Sequence, residues 1–140
     1  MKIELPAVKK RVFQMVLPIR WGDMDAMGHV NNVSYFCYME ACRIDWFESD
    51  GIRVEPDGIG PVIVNAFCNY YQEFTYPGNI LMTLYTSDPG RTTFETWVTM
   101  EDATQPGVVK AEGGATTIWV NSRLKKAVEL PAHIRQLVTP

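Results

Sequence analysis

The chain is 140 residues long, 46% hydrophobic and 21% charged, with a net charge of −3. That balance is ordinary for a folded, water-soluble domain and excludes a disordered or collagen-like chain. The acidic balance and the absence of a long basic run argue against a nucleic-acid binder.

A chain of this length is expected to form one domain over residues 1–140, with one core. Its N-terminus, Met1 to Arg11, carries Lys2, Glu4, Lys9 and Lys10 and has no apolar leader. No later stretch reaches the ~18 uninterrupted apolar residues of a membrane span. The three cysteines, Cys37, Cys42 and Cys68, are odd in number and sit in apolar stretches. Such cysteines read as small buried hydrophobes in a reducing compartment, so a cytoplasmic protein is expected.

In chain order, Phe13 to Arg20 reads as a first strand that ends at the turn signal Trp21-Gly22-Asp23. From Asn32 to Ser49 no Pro or Gly interrupts a run rich in apolar residues. Length and the lack of breakers predict a helix, capped by the side chain of Asn31 or Asn32. It is apolar round most of its circumference, so other structure should wrap it. A loop from Gly51 to Pro61 leads into four β-like runs: Pro61 to Phe74, Ile80 to Thr86, Thr92 to Met100 and Val108 to Val120. The turn formers Tyr76-Pro77-Gly78, Asp88-Pro89-Gly90 and Gln105-Pro106-Gly107 separate them, and connections this short imply antiparallel pairing. Gly113-Gly114 inside the last run marks a bulge or a close backbone approach. A short helix over Pro131 to Val138 ends the chain. The expected class is α+β, with an antiparallel five-stranded sheet curled round one long helix.

The densest group of polar and special residues runs from Trp21 to Asn32, between the first strand and the helix. A helix N-terminus offers unpaired N–H groups and a positive dipole end, which stabilise a carbonyl oxygen gaining negative charge during acyl transfer. A carboxylate a few residues upstream could face that carbonyl as nucleophile or as general base for water. Other chemistries fit worse. Asp-x-Asp-x-x-Gly begins like a calcium loop, but Met27 fills its fifth position and Ser34 the twelfth, where a bidentate Glu is needed. Zinc would require clustered His or Cys, and the only other histidine is the distant His133, so no metal is expected. Cys42, in mid-helix, lacks both a base and exposure. Each polar residue alone could simply shape a turn or cap the helix, and Asp23 is read that way. Together they exceed what a turn requires.

The string Asp25-Ala26-Met27-Gly28-His29-Val30-Asn31-Asn32, followed by Tyr35 and Glu40-Ala41-Cys42-Arg43, resembles the hot-dog thioesterases of the 4-hydroxybenzoyl-CoA type and the related bacterial acyl-CoA thioesterases. The likeness extends from the first strand through the last and includes the order of elements. It implies a hot-dog fold and hydrolysis of an acyl-CoA without a cofactor. Asp25 would be the catalytic carboxylate, and the amide near Asn32 the group that polarises the thioester carbonyl. His29 and Asn31 would help to order the site, with Tyr35 beside the substrate. His29-Val30-Asn31-Asn32 resembles the fatty-acyl branch more than the aromatic one, implying an aliphatic acyl group. The resemblance further implies homodimers joined at their sheet edges, often paired into homotetramers. Arg91, Arg123, Lys125 and Lys126 are the basic groups available for CoA phosphates, and read equally well as a solvated basic turn. Two alternatives stay open: a hydratase or dehydratase of the same fold using His29 with Asp25, and a non-catalytic acyl-thioester binder.

Overall fold

The computed structural model describes residues 2–53, 55 and 58–140. Positions 54, 56 and 57 of the loop expected over Gly51 to Pro61 lie outside the described residues. The strands are β1 (Lys10–Pro18), β2 (Ile59–Tyr70), β3 (Asn79–Ser87), β4 (Thr93–Asp102), β5 (Val109–Asn121) and β6 (Lys126–Ala127). The helices are α1 (Asn32–Ser49) and α2 (Ala132–Val138).

All pairings are antiparallel and the strand order is β1-β3-β4-β5-β2. The sheet has six strands rather than five, because the chain doubles back after β5 and pairs Lys126 and Ala127 with Asn121 and Val120. Strand ends also differ from expectation. β2 stops at Tyr70 rather than Phe74: the amides of Tyr71 and Gln72 both turn to the Lys110 carbonyl, each at 2.9 Å, which takes the chain out of the ladder.

Helix α1 covers the residues expected of it. Asn31 is its cap, the side-chain oxygen accepting the Val33 N–H at 3.0 Å. Its inner face buries Tyr35, Tyr38, Met39, Cys42, Trp46 and Phe47 against the sheet. Trp46 meets Phe94 of β4 edge-on, with ring centroids 6.3 Å apart. The helix is not wrapped all round. Val33, Phe36 and Ile44 remain exposed, as does Cys37, because one sheet curls only part of the way round a cylinder.

Gly113 explains how closely helix and sheet approach. A Cβ there would stand 2.5 Å from both the Met39 Sδ of α1 and the Phe67 carbonyl oxygen of β2, so a side chain would collide with the helix on one side and the neighbouring strand on the other. Of the two expectations for Gly113-Gly114, the close approach is the one found; the register shifts of β5 and its partners fall elsewhere. Helix α2 closes the core with Ile134 and Val138, and Thr86 donates its hydroxyl to the Val138 carbonyl at 3.2 Å. No described helix is long and apolar enough to cross a membrane.

Candidate functional site

The segment from Trp21 to Asn32 forms a tight structure at one end of the sheet. A 3-10 turn, Trp21–Asp23, follows β1, and Met24 then bridges antiparallel to Val30. Within that small loop the Asp25 N–H donates to the His29 carbonyl at 2.7 Å and the Gly28 N–H to the Asp25 carbonyl at 3.1 Å. Gly28 sits at φ +76°, a left-handed conformation that favours glycine.

The Asp25 carboxylate folds back over this loop. Its Oδ1 accepts the amides of Met27 at 2.9 Å and His29 at 3.1 Å, while its other oxygen has no protein partner among the described residues. The carboxylate is therefore oriented by two donors yet open to solvent on one side. His29 acts on Asp25 through its backbone. Its ring makes no hydrogen bond among the described residues, so no imidazole–carboxylate pair forms here.

Two links tie the loop to the helix. Asp23 accepts the Asn31 N–H on its carbonyl at 2.8 Å, and its carboxylate accepts the Tyr38 hydroxyl at 2.7 Å. Burial, and then that bond to Asp23, push the Tyr38 hydroxyl pKa upward. Asp23 was read as structural, and this is what it does: it clamps the loop to the first two turns of α1. From the opposite side the Tyr70 hydroxyl donates to the Asn32 carbonyl at 2.9 Å. Asn31 accepts the Val33 amide, leaving the Asn32 N–H without an acceptor among the described residues. Such an orphan donor at a helix N-terminus is poised for an oxygen with negative charge.

Asp25, Trp21, Met24 and Tyr76 line a cavity of about 640 Å³. Trp21 and Met27, on either side of Asp25 in this loop, are 76% and 78% exposed. Sequence reasoning missed Tyr76 and the roles of Tyr38 and Tyr70. The one available signal was a tyrosine cluster on the strand and turn that follow the helix.

The remaining residues singled out from sequence divide into two groups. Asn31, Asn32 and Tyr35 gather with Asp25 and His29 at the start of α1, Tyr35 being buried with its ring edge-on to Tyr70 at 4.9 Å. Arg91, Arg123 and Lys125 lie at the far end of the sheet, before β4 and after β5. A ten-residue strand such as β4 spans about 30 Å, so one chain does not bring these basic groups to its own Asp25.

The thioesterase-like superfamily model matches residues 19–138, which takes in the loop, the helix and every strand after the first. The chain belongs to the thioesterase-like superfamily. A candidate thioesterase from Pseudomonas aeruginosa is 31% identical with a TM-score of 0.86, over 91% of this chain and 98% of that one. A candidate acyl-CoA thioesterase from Xanthomonas campestris is 29% identical with a TM-score of 0.75, over 81% and 97%. A DHNA-CoA thioesterase from Staphylococcus aureus, at 17% identity and a TM-score of 0.73 over 87% and 80%, shares the fold. Among curated proteins none matches significantly. The hot-dog fold implied by the sequence is thus the fold of this thioesterase-like chain, and its family and neighbours support thioesterase activity.

Proposed function

We propose that the protein hydrolyses an acyl-CoA thioester, with an aliphatic acyl group, to the free acid and CoA. The observation that carries this reading is the Asp25 carboxylate, held by two amides with one oxygen free, in the loop that leads into the open N–H of Asn32. The thioester carbonyl oxygen would take the Asn32 N–H, so that the charge it gains in the transition state meets the helix N-terminus.

Asp25 then serves in one of two ways. As general base it removes a proton from water while the water oxygen bonds to the carbonyl carbon; the C–S bond breaks and the thiolate leaves, taking a proton. As nucleophile it bonds to that carbon and expels the thiolate, and water cleaves the resulting anhydride.

The basic residues at the far end of the sheet suit a dimer. β2 is an outer strand with Ile59, Val62, Ile63 and Val64 exposed, and it offers an edge to a second copy. Antiparallel pairing of two β2 strands reverses one sheet against the other. Arg123 and Lys125 of one chain would then stand on the side of its partner's Asp25, where CoA phosphates would lie. All three cysteines are free, which fits the reducing cytoplasm.

The test is thiol release from short, medium, long and aromatic acyl-CoAs, beside Asp25→Asn. Turnover of at least one thioester by the wild type and a loss of about a hundredfold or more in a folded variant are expected. A variant that keeps its rate, or a wild type that releases no thiol from any substrate, would overturn the reading.

A further inference from the structure

The outer face of the sheet, turned away from α1, carries a covered aromatic patch of its own. Strand residues alternate between the two faces. Phe94, Val98 and Met100 of β4 belong to the core under the helix, so Trp97 points the other way, yet it is only 9% exposed. Its ring meets Phe67 of β2 edge-on with centroids 5.8 Å apart, and a Cβ on Gly114 of β5, which lies between them, would stand 2.9 Å from both rings. In the register of the sheet Tyr85 pairs with Trp97, Trp97 with Gly114 and Gly114 with Phe67, a single line across four strands.

The N-terminal arm, Lys2 to Lys9, crosses this line. At one end the Asn69 side chain of β2 donates to the Ile3 carbonyl at 2.6 Å, and the Lys2 ammonium stands 5.4 Å from the centre of the Tyr71 ring. At the other end the Lys9 ammonium lies 5.3 Å from the centre of the Tyr85 ring on β3. With β4 and β5 between them, β3 and β2 are about 14 Å apart. The chain from Ile3 to Lys9 reaches at most about 20 Å, so the arm runs nearly straight across β5 and β4. Leu5 and Pro6, half-buried where Glu4, Ala7 and Val8 are exposed, fall midway along that path.

The anchor on β2 stands close to the candidate site. Asn69 and Tyr71 flank Tyr70, which faces the other side of the strand and donates its hydroxyl to the Asn32 carbonyl at 2.9 Å. β2 is an outer strand that ends at Tyr70. Pairing with β5 fixes this end within the plane of the sheet, and the arm fixes it from the outer face. A displacement of the strand end towards the outer face would draw Tyr70 away from Asn32.

We propose that the N-terminal arm is a positioning element for hydrolysis: by pinning Asn69 on the outer face of β2 it holds Tyr70 against Asn32, and so keeps the start of α1 in place for the thioester carbonyl. The part that Asn32 plays in the reaction rests on the hydrolysis reading. The mechanical coupling from arm to helix does not, and is tested separately.

The variants are Asn69→Ala, which removes the donor of the anchor, and a chain lacking residues 2–8, each made with Tyr70 in place and with Tyr70→Phe. Should the shortened chain not fold, Asn69→Ala alone carries the test. In thiol release, either change should lower kcat about two- to tenfold with KM nearly constant, the range of one hydrogen bond. Beside Tyr70→Phe the same change should cost less than about twofold more, because the link through which it acts is already gone. Equal losses in both backgrounds, or a kcat that neither change lowers, would overturn the proposal.

The second measurement needs no turnover. Val33 and Ser34 donate their amides to the Asn31 side chain and carbonyl in the first turn of α1, and Asp50 donates to Trp46 at the far end. Loss of the arm or of the Asn69 donor should speed hydrogen exchange at Val33 and Ser34 by about threefold or more, followed by NMR, and leave Asp50 unchanged. Tyr70→Phe should speed the same two amides, with nothing added by the arm variants. Unchanged rates at Val33 and Ser34 would overturn the coupling, and so would an equal rise at both ends of the helix, which would make the arm a general stabiliser of the fold. The expected exchange pattern in a protein that hydrolyses no thioester would sink the hydrolysis reading and leave the arm as the element that holds the helix start.

Discussion

The hydroxyl of Tyr70, on the outer strand of the sheet, donates to the carbonyl of Asn32 in the first turn of α1 at 2.9 Å. The edge strand therefore helps to hold in place Asn32, whose own N–H has no acceptor among the described residues. Tyr70→Phe keeps the ring edge-on to Tyr35 and removes only this bond. A net hydrogen bond of about 0.5–1.5 kcal/mol corresponds to about two- to tenfold in rate. We expect kcat to fall by that factor with KM nearly constant, measured by steady-state thiol release. A change confined to KM would make Tyr70 a substrate contact instead.

The Asp23–Tyr38 bond should matter first for stability. Tyr38 is buried and its partner is a half-buried carboxylate, so Tyr38→Phe strands a charge that was hydrogen-bonded. Bonds to charged groups are worth about 1.5–3 kcal/mol, and urea unfolding should show a loss in that range. Asp23→Ala and Tyr38→Phe should be strongly non-additive in combination, since both remove the same bond. Additive losses would mean that the bond contributes little.

Gly113→Ala is expected to be poorly tolerated. Met39 could swing its thioether aside, but the Phe67 carbonyl belongs to the neighbouring strand and cannot move alone. Overpacking of this kind costs about 1–3 kcal/mol. Denaturant melts comparing Gly113→Ala with the wild type should show the loss; an unchanged midpoint would mean that the sheet opens freely at β2 and β5.

Local pattern explains what was legible before the structure. Helix α1 could be read from Asn32 to Ser49 because its cap, its uninterrupted interior and Gly51 beyond its end are all local signals. The Asp25 loop was legible for the same reason, since its polar residues are contiguous. Strand ends were not: where β2 leaves the sheet depends on Lys110, some forty residues away. The bond from Tyr70 to Asn32 spans 38 positions, and no local pattern couples them. The separation of Arg91, Arg123 and Lys125 from Asp25 follows from the running direction of β4 and β5, which appears only once the strand order is known.

Association through β2 has its own test. Val64 is 56% exposed at the register shift of this outer strand, next to Ile63 and Val62. A lysine there would place a charge against its symmetry mate across a β2–β2 junction. Sedimentation should show the wild type as a dimer or larger and Val64→Lys as a monomer, with thiol release reduced because the partner's basic residues are lost. A wild type that sediments as a monomer at micromolar concentration would remove the dimer from the scheme.

Alkaline pH should unfold the protein earlier than its acidic composition suggests. Burial raises the pKa of Cys42 from 9.0 to about 12, that of Cys68 from 9.0 to about 11, and that of Tyr35 above its ordinary 10.0. In each case the protonated form is the neutral one, so the folded state holds its proton more tightly than the unfolded chain. The stabilisation from these groups is complete below about pH 9, where both states are protonated. It is lost as the pH rises towards 11 and 12, because the unfolded chain releases the protons first. The Tm should be flat from pH 7 to about 8.5 and then fall steadily. Cys42→Ala should start lower, from the lost packing, but descend less steeply over the same range. Parallel descents in the two proteins would show that Cys42 titrates alike in both states and that its burial does not hold the proton.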